Sequence, residues 1–302
     1  MTPFGVNEKE RFWNKVFDDE PPSGFLPVAA GRYRLIAAKI CPWAHRQLIV
    51  LKLLGLWDEA GGSGAIGVGL VHPVRGEKGW EFSLDPGGVD PVLGIRYLSE
   101  AYLKADPAYA LRATVPAVVD LRTGAVVNND YHRLTNYWET VWRPFHKAGV
   151  PDLYPESLRA EIDALNREMF FKLNNGVYRA GFAQSQAAYE AAYHDVFAEL
   201  DRLEARLSGS RFLFGDALTD SDVRLYVTLV RFDLAYHGAK KCNRSRLVDF
   251  PALWRYAKEL YHVPEFGGTT DFDAIKRGYH LGDTERNPYQ ILPLGPDLSV
   301  WE

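Results

Sequence analysis

Cysteine is nearly absent from this 302-residue chain: only Cys41 and Cys242 occur, widely separated. A disulfide framework is thereby excluded, and a reducing, cytoplasmic setting is expected. Long apolar runs are also missing. No stretch approaches the roughly 18 to 20 apolar residues that cross a bilayer, so no membrane partner is expected. The opening MTPFGVNEKERFW carries acidic residues where a secretory leader would be apolar, and no leader is expected. Excess positive charge is lacking as well. Lys and Arg total 35 against 39 Asp and Glu, a net charge of −4, and the longest basic cluster is Lys240-Lys241 with Arg244 and Arg246. That is no footprint for nucleic acid. The 8 histidines show no metal-ligand spacing, and no Gly-x-Ser-x-Gly turn exists, so neither metal nor serine-hydrolase chemistry is expected.

What the chain has in abundance is aromatic surface, with 8 Trp, 16 Tyr and 16 Phe. Such an excess serves large cores or pockets that stack planar ligands. Residues 1–30 are rich in Pro, Gly and charge around a patch of Phe12, Trp13 and Phe17, and are expected to be an extension. From there the pattern reads as a strand at Tyr33–Ile40, then a helix whose apolar residues Ala44, Leu48, Leu51 and Leu54 recur at helical spacing up to Gly55. A Gly-rich piece leads to a second strand near Val68–Pro73, and residues 75–95 carry the turn signals of a long loop. A helix is predicted over Leu93–Tyr109. A hairpin follows, Val115–Asp120 and Ala125–Val127 turned at Arg122-Thr123-Gly124, and then a helix from Asn129 or Asp130 through Trp138. This β-α-β-α-β-β-α order is that of a thioredoxin-like domain, predicted over 31–150.

Pro151–Pro155 reads as a linker. The remainder, 151–302, is predicted helical over 158–175, 184–208, 219–236 and 251–261, with an irregular last forty residues. Thr219-Asp220-Ser221-Asp222 has the capping-box form. The fold class is therefore α/β plus all-α.

Chemistry centres on Cys41. Cys41-Pro42-Trp43-Ala44-His45-Arg46 follows a strand and opens a helix, and proline suits the first helical position because its missing N–H would be unpaired there. The sulfur then stands near unpaired N–H groups and the positive end of the helix dipole, which favours the thiolate. Cysteines so placed have pKa values of roughly 3.5 to 7.5, and the thiolate is the attacking species in exchange with another sulfur. Position 44 is Ala, so no Cys-x-x-Cys pair exists and a monothiol route is predicted. Pro116, after Thr114-Val115, is a candidate cis proline whose neighbouring backbone faces the cysteine in such folds.

These motifs make the chain resemble the xi class of glutathione transferases, the glutathionyl-hydroquinone reductases, over about residues 31–297. The resemblance rests on Cys41-Pro-Trp-Ala-His-Arg46, on Asn174-Asn-Gly-Val-Tyr-Arg-Ala-Gly-Phe-Ala-Gln-Ser-Gln186, on Thr228-Leu-Val-Arg-Phe-Asp233, on Lys241-Cys242-Asn243 and on Asn287-Pro288. It implies a glutathione-transferase-type helical domain after the thioredoxin-like one, a homodimer, and a reductase that removes glutathione from S-conjugated hydroquinones through a Cys41 mixed disulfide. Glutathione is the implied co-substrate and an aromatic hydroquinone conjugate the partner, with no metal. Tyr178, Tyr236 and Tyr279 match family tyrosines at the aromatic substrate. Trp43, Trp80, Arg112, Val115 and Pro116 match positions at the bound thiol. Cys242 is read as structural. A general monothiol transferase or dehydroascorbate reductase using the same cysteine, and a non-catalytic ligand-binding module, are the alternatives.

Two departures stand out. Where the family usually holds the γ-glutamyl group with a Glu-Ser pair, this chain has Asp130-Tyr131, one methylene shorter in the first and with a displaced hydroxyl in the second. That predicts an altered thiol pocket, suited to another low-molecular-weight thiol such as mycothiol. The His-Phe pair that often precedes the family's Lys-Cys is replaced by Ala239-Lys240, at the rim of the aromatic pocket.

Overall fold

The computed structural model describes residues 26–58 and 64–302, with the backbone of residues 17 and 18. The expected extension, with its patch at Phe12, Trp13 and Phe17, lies almost wholly outside the described residues. The chain divides into two compact units, which change over between Pro151 and Asp152.

In the first unit two short strands, β1 (Phe17–Asp18) and β2 (Leu26–Pro27), pair in parallel. The main sheet comprises β3 (Tyr33–Ala37), β4 (Ile66–Leu70), β5 (Ala117–Asp120) and β6 (Ala125–Asn128), in the spatial order β4-β3-β5-β6. β3 pairs parallel with β4 and antiparallel with β5. Leu35, Ile36 and Ala37 are all fully buried, as a strand covered on both faces requires.

Between β3 and β4 runs α1 (Pro42–Leu53), itself buried along nearly its whole length. It stops in a Schellman arrangement: Leu56 N–H donates to Leu51 O at 2.8 Å and Gly55 N–H to Lys52 O at 3.0 Å. Gly55 has φ +67°, and a Cβ there would also strike the Lys147 side chain at 2.4 Å, so only glycine fits this stop. The long loop is organised around Asp90. Its carboxylate accepts the Val92 and Leu93 N–H groups and pairs with Arg34 at 2.7 Å.

Two predicted helices are shorter than expected. α2 spans Leu98–Ala105, not Leu93–Tyr109. Asn129 and Asp130 are irregular, Tyr131–Arg133 form a turn, and α3 begins only at Leu134 and ends at Glu139. Asn128 Oδ1 takes the Asp130 N–H and Asp130 Oδ1 takes the His132 N–H. Side chains that bond the backbone two residues on compete with helix formation.

The second unit is helical. α4 (Arg159–Met169) continues into a π-helical turn, Phe170–Asn174, before α5 (Gly176–Gly181). The 23-residue α6 (Gln186–Ser208) follows, then α7 (Asp220–Leu229), which passes into a second π turn, Phe232–Tyr236, and the short α8 (His237–Ala239). α9 (Pro251–Tyr261) and α10 (Pro264–Gly267) lead to α11 (Phe272–Leu281). That last helix corrects the expectation of an irregular final forty residues. Asp271 caps it by accepting the Ala274 N–H, and Ala274, Ile275, Gly278 and Tyr279 form its buried face.

Asp222 anchors this unit. It is completely buried and accepts from Thr219 N–H, Thr219 Oγ1, Leu213 N–H and Tyr256 Oη, all at 2.8–2.9 Å. Thr219 and Asp222 form the expected capping box. Unsatisfied buried donors cost about 1–3 kcal/mol each. Asp222→Ala is therefore expected to lower unfolding free energy by about 3 kcal/mol or more, with Asp222→Asn losing less. Urea denaturation followed by circular dichroism checks this, and an unchanged midpoint would contradict it.

Candidate active site

The β3–α1 junction builds the sulfur site. Cys41 is the N-cap of α1, with extended backbone (φ −74°, ψ 117°), and Pro42 occupies the first helical position. The Cys41 N–H donates to Ala38 O, and its carbonyl takes the His45 N–H at 2.9 Å, so the residue is fixed on both sides. Its sulfur lies 3.5 Å from Val115 O, partly exposed and outside any disulfide. Val115-Pro116 is a cis peptide bond, as the sequence suggested. The turn before it is tied down by Tyr102, whose hydroxyl donates to Thr114 O at 2.8 Å and accepts from Asn129 Nδ2 at 3.2 Å.

Trp43 and Tyr131 are brought together. Their rings stack at 5.3 Å and 23°, and the Arg46 guanidinium lies over both, 5.3 and 5.6 Å from the ring centroids. Arg46 also donates to the Tyr131 carbonyl. Tyr131 is only 8% exposed, so its ring is a packed wall and does not hold a polar group out as serine would. Asp130 is buried. One carboxylate oxygen takes the His132 N–H, and the other lies 3.9 Å from Arg133. Because Asp130 and Tyr131 precede the first residue of α3 by several positions, in irregular chain and a turn, they do not occupy the helix N-terminus that the sequence suggested. Trp80 is half-buried, its carbonyl accepting the Leu98 N–H, and Arg112 is exposed, its carbonyl accepting Tyr109 Oη.

In the helical unit the three predicted tyrosines converge, although α5, the second π turn and α11 carry one each. Tyr236 Oη lies 3.1 Å from both Tyr178 Oη and Tyr279 Oη, and Tyr178 Oη also hydrogen-bonds Tyr279 Oη. Each hydroxyl donates once and can accept twice, so the three can close a mutual cycle. Burial pushes the Tyr178 and Tyr236 phenols well above their ordinary range, reinforced by the neighbouring tyrosines. They therefore stay protonated, as proton donors, across physiological pH. Three polar side chains, Asn174 and Arg231 buried and Asp233 partly so, support the cluster. Asn174 Nδ2 donates to Thr228 Oγ1 at 2.7 Å and to Arg224 O at 3.1 Å, joining the Asn-Asn-Gly-Val-Tyr segment to α7. Asp233 accepts the Leu247 N–H, and Arg231 donates to Val227 O. Those motif residues therefore hold backbone.

Lys240 stands beside this cluster, a position that sequence reading noticed as a departure without giving it a role. It is 4% exposed, and its ammonium lies 3.8 Å from the Phe182 ring centroid and 5.9 Å from that of Tyr279. Phe182 in turn stacks on Tyr178 at 6.3 Å and 11°. A Cβ on Gly181 would meet Lys240 Cδ at 2.3 Å, so that glycine leaves room for the lysine stem. A desolvated cation–π contact gives back about 2 kcal/mol, whereas burying an ammonium costs several. Burial accordingly pulls the Lys240 ammonium down to about 8. Cys242, by contrast, is fully buried, and burial pushes its thiol up to about 12, which suits a packing residue.

Among the described residues no group of three or more His, Cys, Asp or Glu side chains could hold a metal ion, and no helix is long and apolar enough to cross a membrane. Residues 186–259 match the glutathione S-transferase C-terminal domain family. The glutathionyl-hydroquinone reductase YqjG of Escherichia coli K12 is 39% identical over 276 residues, which span 90% of this chain and 81% of that one. Its glutathione-bound structure superposes with a TM-score of 0.86 at 36% identity, covering 95% of this chain and 93% of that one. A glutathione transferase from Gordonia bronchialis gives a TM-score of 0.91 at 50% identity, covering 95% and 88%. The glutathione S-transferase Xi of Phanerochaete chrysosporium gives 0.87 at 40% identity, covering 95% and 96%. With likeness of this extent in both sequence and fold, and with the motif cysteine at the head of α1, the chain belongs to the xi class of glutathione transferases.

Proposed function

We propose that the protein is a thiol-dependent reductase that takes a low-molecular-weight thiol off S-conjugated hydroquinones, with Cys41 as nucleophile. The observation that carries this is the Cys41 sulfur at the first turn of α1, 3.5 Å from the carbonyl preceding the cis proline. A helix N-terminus favours a thiolate. The relationship to reductases of this reaction supports the choice of substrate.

In the first half-reaction the Cys41 thiolate attacks the thioether sulfur. A sulfur–sulfur bond forms, the carbon–sulfur bond breaks, and its electron pair stays on the aromatic carbon, which takes a proton. Tyr178, Tyr236 and Tyr279 are assigned to the aromatic ring and to that proton. In the second half-reaction a free thiol attacks the mixed disulfide, regenerating the Cys41 thiolate and leaving as a disulfide. The aromatic carbon gains an electron pair and a proton, while the conjugated sulfur and one free thiol end together as the disulfide, so atoms and electrons balance.

For the thiol itself, glutathione-class chemistry is supported by the glutathione-bound relative. The Asp130-Tyr131 pair narrows it further. With Tyr131 packed on Trp43 and Asp130 drawn into its own turn, two polar partners of a γ-glutamyl group are altered, and a site missing such partners discriminates strongly. The function is expected in the cytoplasm, in a homodimer.

Cys41→Ser is expected to abolish turnover of a glutathionyl-menadiol conjugate while ligand binding survives; full activity in that variant would end the assignment. In the native protein at pH 7.5, iodoacetamide is expected to label Cys41 and spare Cys242, read by peptide mass spectrometry. Tyr236→Phe removes a donor from the cluster and is expected to slow single-turnover release of the hydroquinone by about 10²-fold, with mixed-disulfide exchange unaffected. Isothermal titration is expected to show glutathione binding at least about tenfold more weakly than mycothiol, and the reverse order would dispose of the altered-pocket reading.

A further inference from the structure

We propose that Lys240 is a specificity-determining residue that selects aromatic substrates bearing an anionic substituent, a ring carboxylate above all. The inference rests on the hydroquinone reading above and names the substrate class for the same tyrosine cluster. The side chain is 4% exposed and has no hydrogen bond or ion pair among the described residues. Its ammonium faces two aromatic rings instead, Phe182 at 3.8 Å and Tyr279 at 5.9 Å. Phe182 stacks on Tyr178, and Tyr279 shares its hydroxyl contacts with Tyr178 and Tyr236. The charge is thus set on the same rings that carry the hydroxyl cluster.

Ring faces satisfy an ammonium electrostatically but accept none of its three N–H donors. An acceptor from outside can take these donors, and an anionic one gives the stronger, charge-assisted bond. The nearby charges leave the position positive. Asp283 is engaged with Arg286 at 2.7 Å, while the Arg286 guanidinium lies over Phe182 at 4.9 Å. Lys241, Cys242 and His280 complete the titratable surroundings. With its value pulled to about 8, the ammonium remains largely protonated at pH 7.

The test is isothermal titration of the full chain at pH 7 with 2,5-dihydroxybenzoate and its neutral counterpart, 2,5-dihydroxybenzamide. The wild type is expected to bind the carboxylate at least tenfold more tightly than the amide, and Lys240→Met to bring that ratio to about one. Lys240→Gln provides the same comparison should methionine disturb the packing, which circular dichroism reports. Equal affinities in the wild type, binding of neither ligand, or a preference that survives in both variants would overturn the proposal. Turnover of the thiol conjugates of both hydroquinones separates the two readings. Turnover without carboxylate preference leaves the reductase standing and removes the lysine's role. Carboxylate-selective binding without turnover keeps the lysine's role and removes the reductase.

Discussion

A nucleophile at a helix N-terminus works only as well as the helix is held. Here α1 is surrounded: Ala44, Leu48, Ile49, Val50 and Leu51 are all within 2% of complete burial, and even His45, Arg46 and Gln47 are inside. Gln47 spends its polarity on Trp138 Nε1 at 3.0 Å, which ties α1 to α3. The Schellman stop at Gly55 closes the far end. A charge-stabilising array of N–H groups is useful to a thiolate only when its donors are already in position. The burial of α1 supplies that rigidity, and the Tyr102–Thr114–Asn129 contacts do the same for the turn carrying Val115 and Pro116.

The helical unit solves a different problem, that of bringing three tyrosines from separate segments to one point. Two π turns, Phe170–Asn174 and Phe232–Tyr236, lie just before Tyr178 and around Tyr236. Such turns re-aim side chains relative to a regular helix and recur at functional sites. Their irregular backbone is tolerated because buried and partly buried polar groups take up the slack. Asn174 bridges to α7, Asp233 accepts from Leu247, and Asp220 holds both Asn166 Nδ2 at 2.9 Å and Arg224 Nε at 2.6 Å. Several residues of the family motifs therefore owe their place to backbone support, with the chemistry left to their neighbours.

The sulfur site was legible in the chain because its signals are local. A short apolar strand, Cys-Pro, and a helical repeat ending in glycine define one junction, and the cap chemistry of that junction is a property of adjacent residues. The hairpin at Arg122-Thr123-Gly124 and the capping box at Thr219–Asp222 were readable for the same reason. Where reading went astray, local alternatives competed. Asn128 and Asp130 spend their side chains on turns and delay α3 to Leu134. α11 was missed although Asp271 and the Ala274–Ile275–Gly278–Tyr279 spacing announce it, because nearby prolines and glycines weigh toward irregular chain.

By itself, then, the order of residues determined that a lone thiol opens a helix, that a thioredoxin-like half precedes a helical one, and that aromatic side chains are plentiful. Tertiary structure alone decided which aromatics touch one another. Residues 178, 236 and 279 become neighbours only when α5, the second π turn and α11 pack, and Tyr131 becomes a wall only by lying on Trp43 and Arg46. The same is true of Lys240. A lysine in sequence reads as a solvated charge, and only burial against Phe182, through the gap left by Gly181, turns it into a desolvated cation on an aromatic ring. Local preferences act over one turn of chain, whereas desolvation depends on everything that packs around a group.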